Sequence, residues 1–150
     1  MKILDIAYAL PSAKVTNQEL IERILETNRK RLSQAELKSV EAKIKRFFKV
    51  SGTVVRYHRG IGERALDFAV QAGKEVLRRS KINPKDVDLL VYTGVGRGWV
   101  EPAMANLFQS ELGLSSATCF DVMDACASWI RSISIAKTFI AQKIYKLVMV

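Results

Sequence analysis

Three nearly continuous apolar runs, separated by helical patterns, constrain the fold of this chain most strongly. They lie at residues 87–92 (VDLLVY), 118–123 (TCFDVM) and 145–150 (YKLVMV), and helices are predicted near residues 102–112 and over residues 126–142. Alternating strands and helices favour a parallel or mixed sheet. Strands that are apolar on both faces indicate that helices cover both sides of that sheet. The sequence therefore predicts an α/β fold with a central sheet.

The first half of the chain carries clear helix-start signals. Residues 2–10 (KILDIAYAL) predict a strand that ends at Pro11. Two S/T-x-x-E capping boxes, at Thr16 and at Ser33, each precede a helical apolar stripe. A short β-branched run at residues 53–57 and a glycine turn then lead into a third predicted helix.

Length and composition indicate one globular domain with a substantial core. The chain has 150 residues, of which 49% are hydrophobic. No apolar run reaches the ~18 to 20 residues of a membrane span, and the amino terminus lacks signal-peptide features. We therefore expect a cytoplasmic protein. The two cysteines, Cys119 and Cys126, are too few for a disulfide framework and are expected to be free thiols.

The net charge of +9 is concentrated in one segment. Residues 29–64 hold eleven Lys or Arg against three Glu. Such a positive field attracts nucleic acid, an acidic carrier protein or the phosphates of coenzyme A, and it is equally compatible with a solvated basic helix face. Nucleic acid is disfavoured because no base-reading helix or aromatic stacking platform is evident.

The segment around Cys126 carries the strongest chemical signal. In residues 120–129 (FDVMDACASW) an apolar strand turns through small residues into a helix that begins next to the cysteine. Unpaired amides in the first helical turn favour a thiolate and donate to a developing oxyanion. These features predict a nucleophile that attacks a thioester. The alternative is a small buried core residue, the commonest fate of a free cysteine.

Residues 121–129 resemble the "D-V-x-x-A-C-x-G-F" active-site motif of the β-ketoacyl-acyl-carrier-protein synthase III family. Two more segments are similar to that family: PSAKVTNQEL at residues 11–20 resembles its "P-x-x-x-V-T-N-x-E-L", and INPKDVDLLVYT at residues 82–93 resembles its "I-x-P-x-D-I-D-x-L-I-x-A-T". The resemblance covers nearly the whole chain.

This resemblance implies one half of a duplicated α/β/α/β/α thiolase architecture, with a mixed, mostly parallel central sheet and residues 1–150 as its amino-terminal domain. Cys126 would accept an acyl group from acyl-coenzyme A or an acyl-carrier protein for decarboxylative condensation in fatty-acid or polyketide synthesis. No permanently bound cofactor is expected, and the full-length family implies a homodimer. The family's His and Asn residues come from a carboxyl-terminal half that this sequence does not contain. The chain is thus expected to be catalytically incomplete, or to be a noncatalytic subunit that needs a partner.

Departures from the family pattern affect the predicted substrate contacts. Arg46, Phe47 and Phe48 stand near the position of an acidic-Trp segment in the family, and either phenylalanine is a candidate contact to coenzyme A. Trp129 replaces the phenylalanine of the motif, so it either narrows the acyl channel or packs in the core. These departures indicate a divergent relative, such as one that makes a specialised metabolite.

Several other residues are weaker candidates. His58, the only histidine, is interpreted as a surface or turn residue. Residues 93–98 (TGVGRG) lack the spacing of a dinucleotide fingerprint and predict a loop near the active site. No paired ligand spacing supports a metal site. Asp121 and Asp124 are predicted to cap the following helix or to pair with Arg131.

Overall fold

The chain folds into two compact units. The computed structural model describes residues 1–96, 98 and 100–150. One unit comprises Met1–Ala9 and Leu66–Val150, and the other comprises Leu10–Ala65. The expected single amino-terminal domain over residues 1–150 stays a prediction.

The smaller unit combines an antiparallel strand pair with two helices. Its elements are β1 (Ala13–Thr16), α1 (Asn17–Asn28), α2 (Gln34–Ser51) and β2 (Val55–His58). The register runs from Ala13 opposite His58 to Thr16 opposite Val55. Both predicted capping boxes are confirmed, because Thr16 and Ser33 each accept the N3 amide while the N3 glutamate accepts the cap amide.

The larger unit contains a parallel three-stranded sheet with the strand order β4-β3-β5. Its elements are α3 (Ala65–Ser80, whose first residue belongs to the smaller unit), β3 (Leu89–Gly94), α4 (Met104–Leu112), β4 (Thr118–Met123), α5 (Ser128–Ala141) and β5 (Val148–Met149). The predicted α/β class is confirmed. Within the described residues, no helix is both long and apolar enough to cross a membrane.

Helices cover both faces of the central strand β3. Leu90 packs in a cluster with buried residues of α3 and α4, among them Leu77 and Phe108. Successive side chains of a strand point to opposite faces, so Leu89 and Val91, 0% and 1% exposed, face away from that cluster. The helix α5, which also contacts β3, covers this second face with its buried Ser132 and Ala136.

Two predicted strands differ from the structure. Residues 2–10 form no strand, because no other strand in the described residues hydrogen-bonds to them. The strand predicted over residues 145–150 is only two residues long. Before it, the Asp88 carboxylate accepts the amides of Lys146 and Leu147 at 2.8 and 2.9 Å, which ties this segment to the start of β3.

Candidate functional site

The candidate nucleophile lies in a tight turn between β4 and α5. The helix predicted to start at Cys126 begins instead with the 3-10 turn Ala125–Ala127, and regular α-helix follows from Ser128. Ala125 has φ of 44°, in the left-handed region that residues with a Cβ seldom adopt. This sharp reversal leaves the Cys126 side chain exposed at the surface of the larger unit. The core alternative predicted for Cys126 is therefore wrong for this chain.

Hydrogen bonds hold the turn without engaging the cysteine. The Ala127 amide donates to the Asp124 carbonyl at 3.0 Å, and the Ser128 hydroxyl donates to the Ala125 carbonyl at 2.8 Å. The Cys126 amide lies in the first turn of this helical segment, where backbone N–H groups lack intrahelical acceptors. The Cys126 amide is therefore available to a ligand. Beside it, the buried hydroxyl of Ser128 donates to the Ala125 carbonyl and so holds the start of α5.

The two aspartates flanking the end of β4 have separate structural roles. Asp124 forms an ion pair with Arg131 of α5 at 2.5 Å, so the predicted pairing with Arg131 is confirmed for this residue. Asp121 does not cap the following helix. Its carboxylate accepts the amides of Met104 and Ala105, both at 2.9 Å, and so caps the preceding helix α4. The reason is the parallel sheet, which brings the start of α4 beside the end of β4.

The second thiol has a different environment from that of Cys126. Cys119 is half-buried, and its Sγ lies 2.7 Å from Oδ1 of Asn106 and 3.5 Å from Oε1 of Gln109. Burial, with a smaller contribution from the Asp121 carboxylate, raises the pKa of the Cys119 thiol. Both cysteines are free, as predicted, but only Cys126 is exposed. Cys119 therefore offers an internal comparison for the reactivity of Cys126.

The predicted substrate contacts fall in both units. Trp129 lies in the first turn of α5, three residues after Cys126, and is 43% exposed, so it is not a fully packed core residue. In the smaller unit the rings of Phe47 and Phe48 meet edge to face at 6.1 Å, and the Arg56 guanidinium lies 4.7 Å from the centre of the Phe48 ring. Arg46 is exposed on α2. The substrate roles of Arg46, Phe47, Phe48 and Trp129 stay predictions.

The remaining candidates are His58, the glycine-rich segment at residues 93–98 and a metal site. His58 is exposed at the end of β2. The loop predicted over residues 93–98 is wrong for Thr93 and Gly94, which end β3, where Gly94 pairs with Met123 near the Cys126 turn. Arg97 of the predicted loop lies outside the described residues. Among the described residues, no group of three or more His, Cys, Asp or Glu side chains is arranged to hold a metal ion.

Sequence reasoning missed two features of this site. It did not predict the left-handed backbone at Ala125, because alanine carries no signal for positive φ. It also assigned Asp121 to the wrong helix, although the absence of a side-chain cap at the start of α4 was a usable signal.

Comparisons with known proteins identify relatives of this chain. No family model matches the chain. A beta-ketoacyl-acyl-carrier-protein synthase III from Clostridium beijerinckii is 30% identical over 147 residues, which are 97% of this chain and 40% of the relative. The enzyme of the same name from Ehrlichia ruminantium is 32% identical over 139 residues, 93% of this chain and 39% of the relative. The chain thus spans about 40% of the length of these curated relatives.

Solved structures show the same similarity. The 3-oxoacyl-acyl-carrier-protein synthase III of Aquifex aeolicus matches 95% of this chain with a TM-score of 0.73 and 25% identity, over 41% of its own chain. Xanthomonas campestris OleA, in a structure with bound lauric acid and lauroyl-CoA, matches 95% of this chain with a TM-score of 0.76 and 25% identity, over 40% of its own chain. The chain has the thiolase-like fold, and over most of its length it is a homologue of the beta-ketoacyl-acyl-carrier-protein synthase III enzymes.

Proposed function

We propose that the protein is an acyltransferase in which Cys126 accepts an acyl group from a thioester. The observation that carries this proposal is the exposed thiol in a left-handed turn at the start of α5. A non-glycine residue held in a sparsely populated backbone conformation costs about 1 to 3 kcal/mol, and such residues concentrate at functional sites. In this chain the conformation at Ala125 presents the next side chain to solvent.

The proposed step is thioester exchange. The Cys126 thiolate attacks the carbonyl carbon of the acyl donor, and the tetrahedral oxyanion collapses as the bond to the donor sulfur breaks. The acyl group is then bonded to Cys126, and the departing thiolate takes up a proton. The Cys126 amide, in the first helical turn, would donate to the oxyanion, which is the kind of stabilisation that acyl transfer requires.

The relatives support decarboxylative condensation as the second half of the reaction. Their name describes the synthesis of a β-ketoacyl group on an acyl-carrier protein, and OleA has been crystallised with lauroyl-CoA. In the family, His and Asn side chains that promote decarboxylation belong to the carboxyl-terminal half. Because this chain spans about 40% of its relatives, the 150 residues alone would stop at the acyl-enzyme. The alternative function is a noncatalytic subunit whose partner supplies that half.

Substrate delivery would use the basic smaller unit. Residues 29–64 carry eleven Lys or Arg, which suits the phosphates of coenzyme A or an acidic acyl-carrier protein. Arg46, Phe47 and Phe48 are the proposed contacts there, and Trp129 is the proposed contact to the acyl chain. Assembly as a homodimer belongs to the same proposal.

The direct test is acylation followed by mass spectrometry of the intact protein. Acetyl-CoA and lauroyl-CoA should each add one acyl group, and peptide mapping should place it on Cys126. Cys126→Ala should abolish the addition, while the matched Cys119→Ala variant should retain it. Acylation that survives Cys126→Ala would refute the assignment.

A second measurement separates the acyltransferase from the noncatalytic subunit. Folded protein that accepts no acyl group from either donor would favour the subunit. An acyl-enzyme that releases no β-ketoacyl product with malonyl-carrier thioester would support the incomplete enzyme. Product formation by the 150 residues alone would contradict the proposed incompleteness.

A further inference from the structure

Ser128 directs two hydrogen bonds at one carbonyl of the nucleophile turn. Its hydroxyl donates to the Ala125 carbonyl at 2.8 Å, and its backbone amide donates to the same oxygen. Ser128 is only 4% exposed, so water competes little for these hydrogen bonds. The Ala125 carbonyl is therefore held by two donors of a single buried residue.

The Ala125 carbonyl belongs to the same peptide group as the Cys126 amide. A peptide group is planar, and in this trans group the N–H points away from the C=O. Holding the carbonyl therefore also sets the direction of the Cys126 N–H, on the side away from Ser128. Hydrogen bonds accepted by the carbonyl polarise the whole peptide group, which makes its N–H a stronger donor.

Two other hydroxyls of α5 donate to backbone carbonyls without this consequence. Ser134 donates to the Ile130 carbonyl at 3.2 Å, and Thr138 donates to the Ser134 carbonyl at 3.1 Å. Both hydroxyls belong to exposed residues, and such bonds are common in helices. The amides that follow these two carbonyls lie inside α5, where N–H groups are used by helical hydrogen bonds. Ser128 differs because the amide that follows its acceptor is that of the candidate nucleophile.

The hydroxyl of Ser128 is a feature of this chain and not of the motif that residues 121–129 resemble. That motif has glycine at this position, and glycine supplies the backbone N–H but no hydroxyl. Ala125 has φ of 44°, a conformation that is unfavourable for a residue with a Cβ. The hydroxyl therefore adds a hydrogen bond that holds a strained peptide unit in place.

We infer that Ser128 is a positioning residue for acyl transfer to Cys126. Its hydroxyl acts through the Ala125–Cys126 peptide group and holds the Cys126 amide in the orientation from which it donates to the oxyanion. The inference rests on the proposed function, because an oxyanion forms only when the Cys126 thiolate attacks a thioester. Ser128 is not a reacting group, since bonds form and break only at Cys126 and at the acyl donor.

Two reactions of the same thiol separate the orientation of the amide from the reactivity of the thiol. Acylation by acetyl-CoA passes through an oxyanion, whereas alkylation by iodoacetamide displaces iodide directly and forms no oxyanion. Ser128→Ala should slow acylation about three- to tenfold, the effect expected for one hydrogen bond. It should leave the rate of alkylation and its pH profile unchanged. Mass spectrometry of the Cys126 peptide measures both rates.

The concentration dependence of acylation gives a further readout. The oxyanion develops only in the transition state, so Ser128→Ala should lower the maximal acylation rate and leave the half-saturating concentration of acetyl-CoA unchanged. A loss confined to the half-saturating concentration would show that Ser128 affects binding of the donor, which contradicts the positioning role.

Matched variants test whether the hydroxyl itself is responsible. Ser128→Gly also removes the hydroxyl and should behave like Ser128→Ala, whereas Ser128→Thr retains a hydroxyl and should restore acylation. The control Ser134→Ala removes a hydroxyl-to-carbonyl bond elsewhere in α5 and should leave acylation unchanged.

The outcomes separate this inference from the proposed function. If the unaltered protein accepts no acyl group, the proposed function fails and the role of Ser128 fails with it. If the unaltered protein is acylated on Cys126 and Ser128→Ala is acylated equally fast, only the role of Ser128 is overturned. Equal slowing of acylation and alkylation also overturns it, because the hydroxyl would then act on the thiol and not on the amide.

Discussion

Removing the Asp121 carboxylate should destabilise the larger unit, because that carboxylate is the side-chain cap of α4. It accepts two backbone amides at 2.9 Å, and α4 has no cap from its own N-cap residue, Ala103. A hydrogen bond to a charged group contributes about 1.5 to 3 kcal/mol, and loss of a helix cap costs about 0.5 to 2 kcal/mol. These terms overlap, so Asp121→Ala should lower the free energy of unfolding by about 2 to 4 kcal/mol.

Urea denaturation followed by circular dichroism measures this loss. Asp121→Asn retains one carbonyl acceptor and should lose about half as much. The control is Asp124→Ala, which removes a largely exposed ion pair with Arg131 and should cost less than about 1 kcal/mol. Equal losses for Asp121→Ala and Asp124→Ala would refute the reasoning. Asp121→Asn should also lower the pKa of Tyr92 and of Cys119, since the Asp121 charge is the second cause, after burial, that raises both.

Three further predictions concern other residues of the larger unit. The amides of Leu147 and Lys146 lower the pKa of Asp88. The stability that this carboxylate contributes is therefore present above the ordinary carboxyl pKa and is lost as pH falls through the pKa of the folded state. Asp88→Asn should reduce this acid dependence of the unfolding free energy, measured by urea titrations at several pH values. The Ser132 hydroxyl is buried without a hydrogen-bond partner among the described residues, so Ser132→Ala should raise the unfolding free energy by about 1 kcal/mol. A decrease in the unfolding free energy of more than about 1 kcal/mol would contradict this and indicate that the hydroxyl has a hydrogen-bond partner. Ala125→Val should destabilise the chain by at least about 1 kcal/mol in the same assay, since a β-branched residue tolerates φ of 44° less well, and an unchanged stability would count against a strained turn.

Local signals in the sequence predicted much of the fold. The capping boxes at Thr16 and Ser33 located both helices of the smaller unit, because a cap involves only residues three positions apart. The apolar run of β4 matched its observed bounds, residues 118–123, because a strand buried on both faces leaves a continuous pattern.

Features that depend on distant partners were not predictable in the same way. Residues 2–10 have the pattern of a strand, but a strand forms only when a neighbour pairs with it. Asp121 was assigned to the next helix in sequence, whereas the parallel sheet places it against α4. At the candidate site, the motif identified Cys126, but its exposure depends on the conformation of Ala125.

The most direct test of the central claim is to expose the folded protein to an acyl-coenzyme A thioester and to locate the modified thiol. We expect a single acyl group on the exposed Cys126 and none on the half-buried Cys119, whose raised pKa disfavours its thiolate. Acylation of Cys119 instead of Cys126, or an unmodified folded protein, would contradict it.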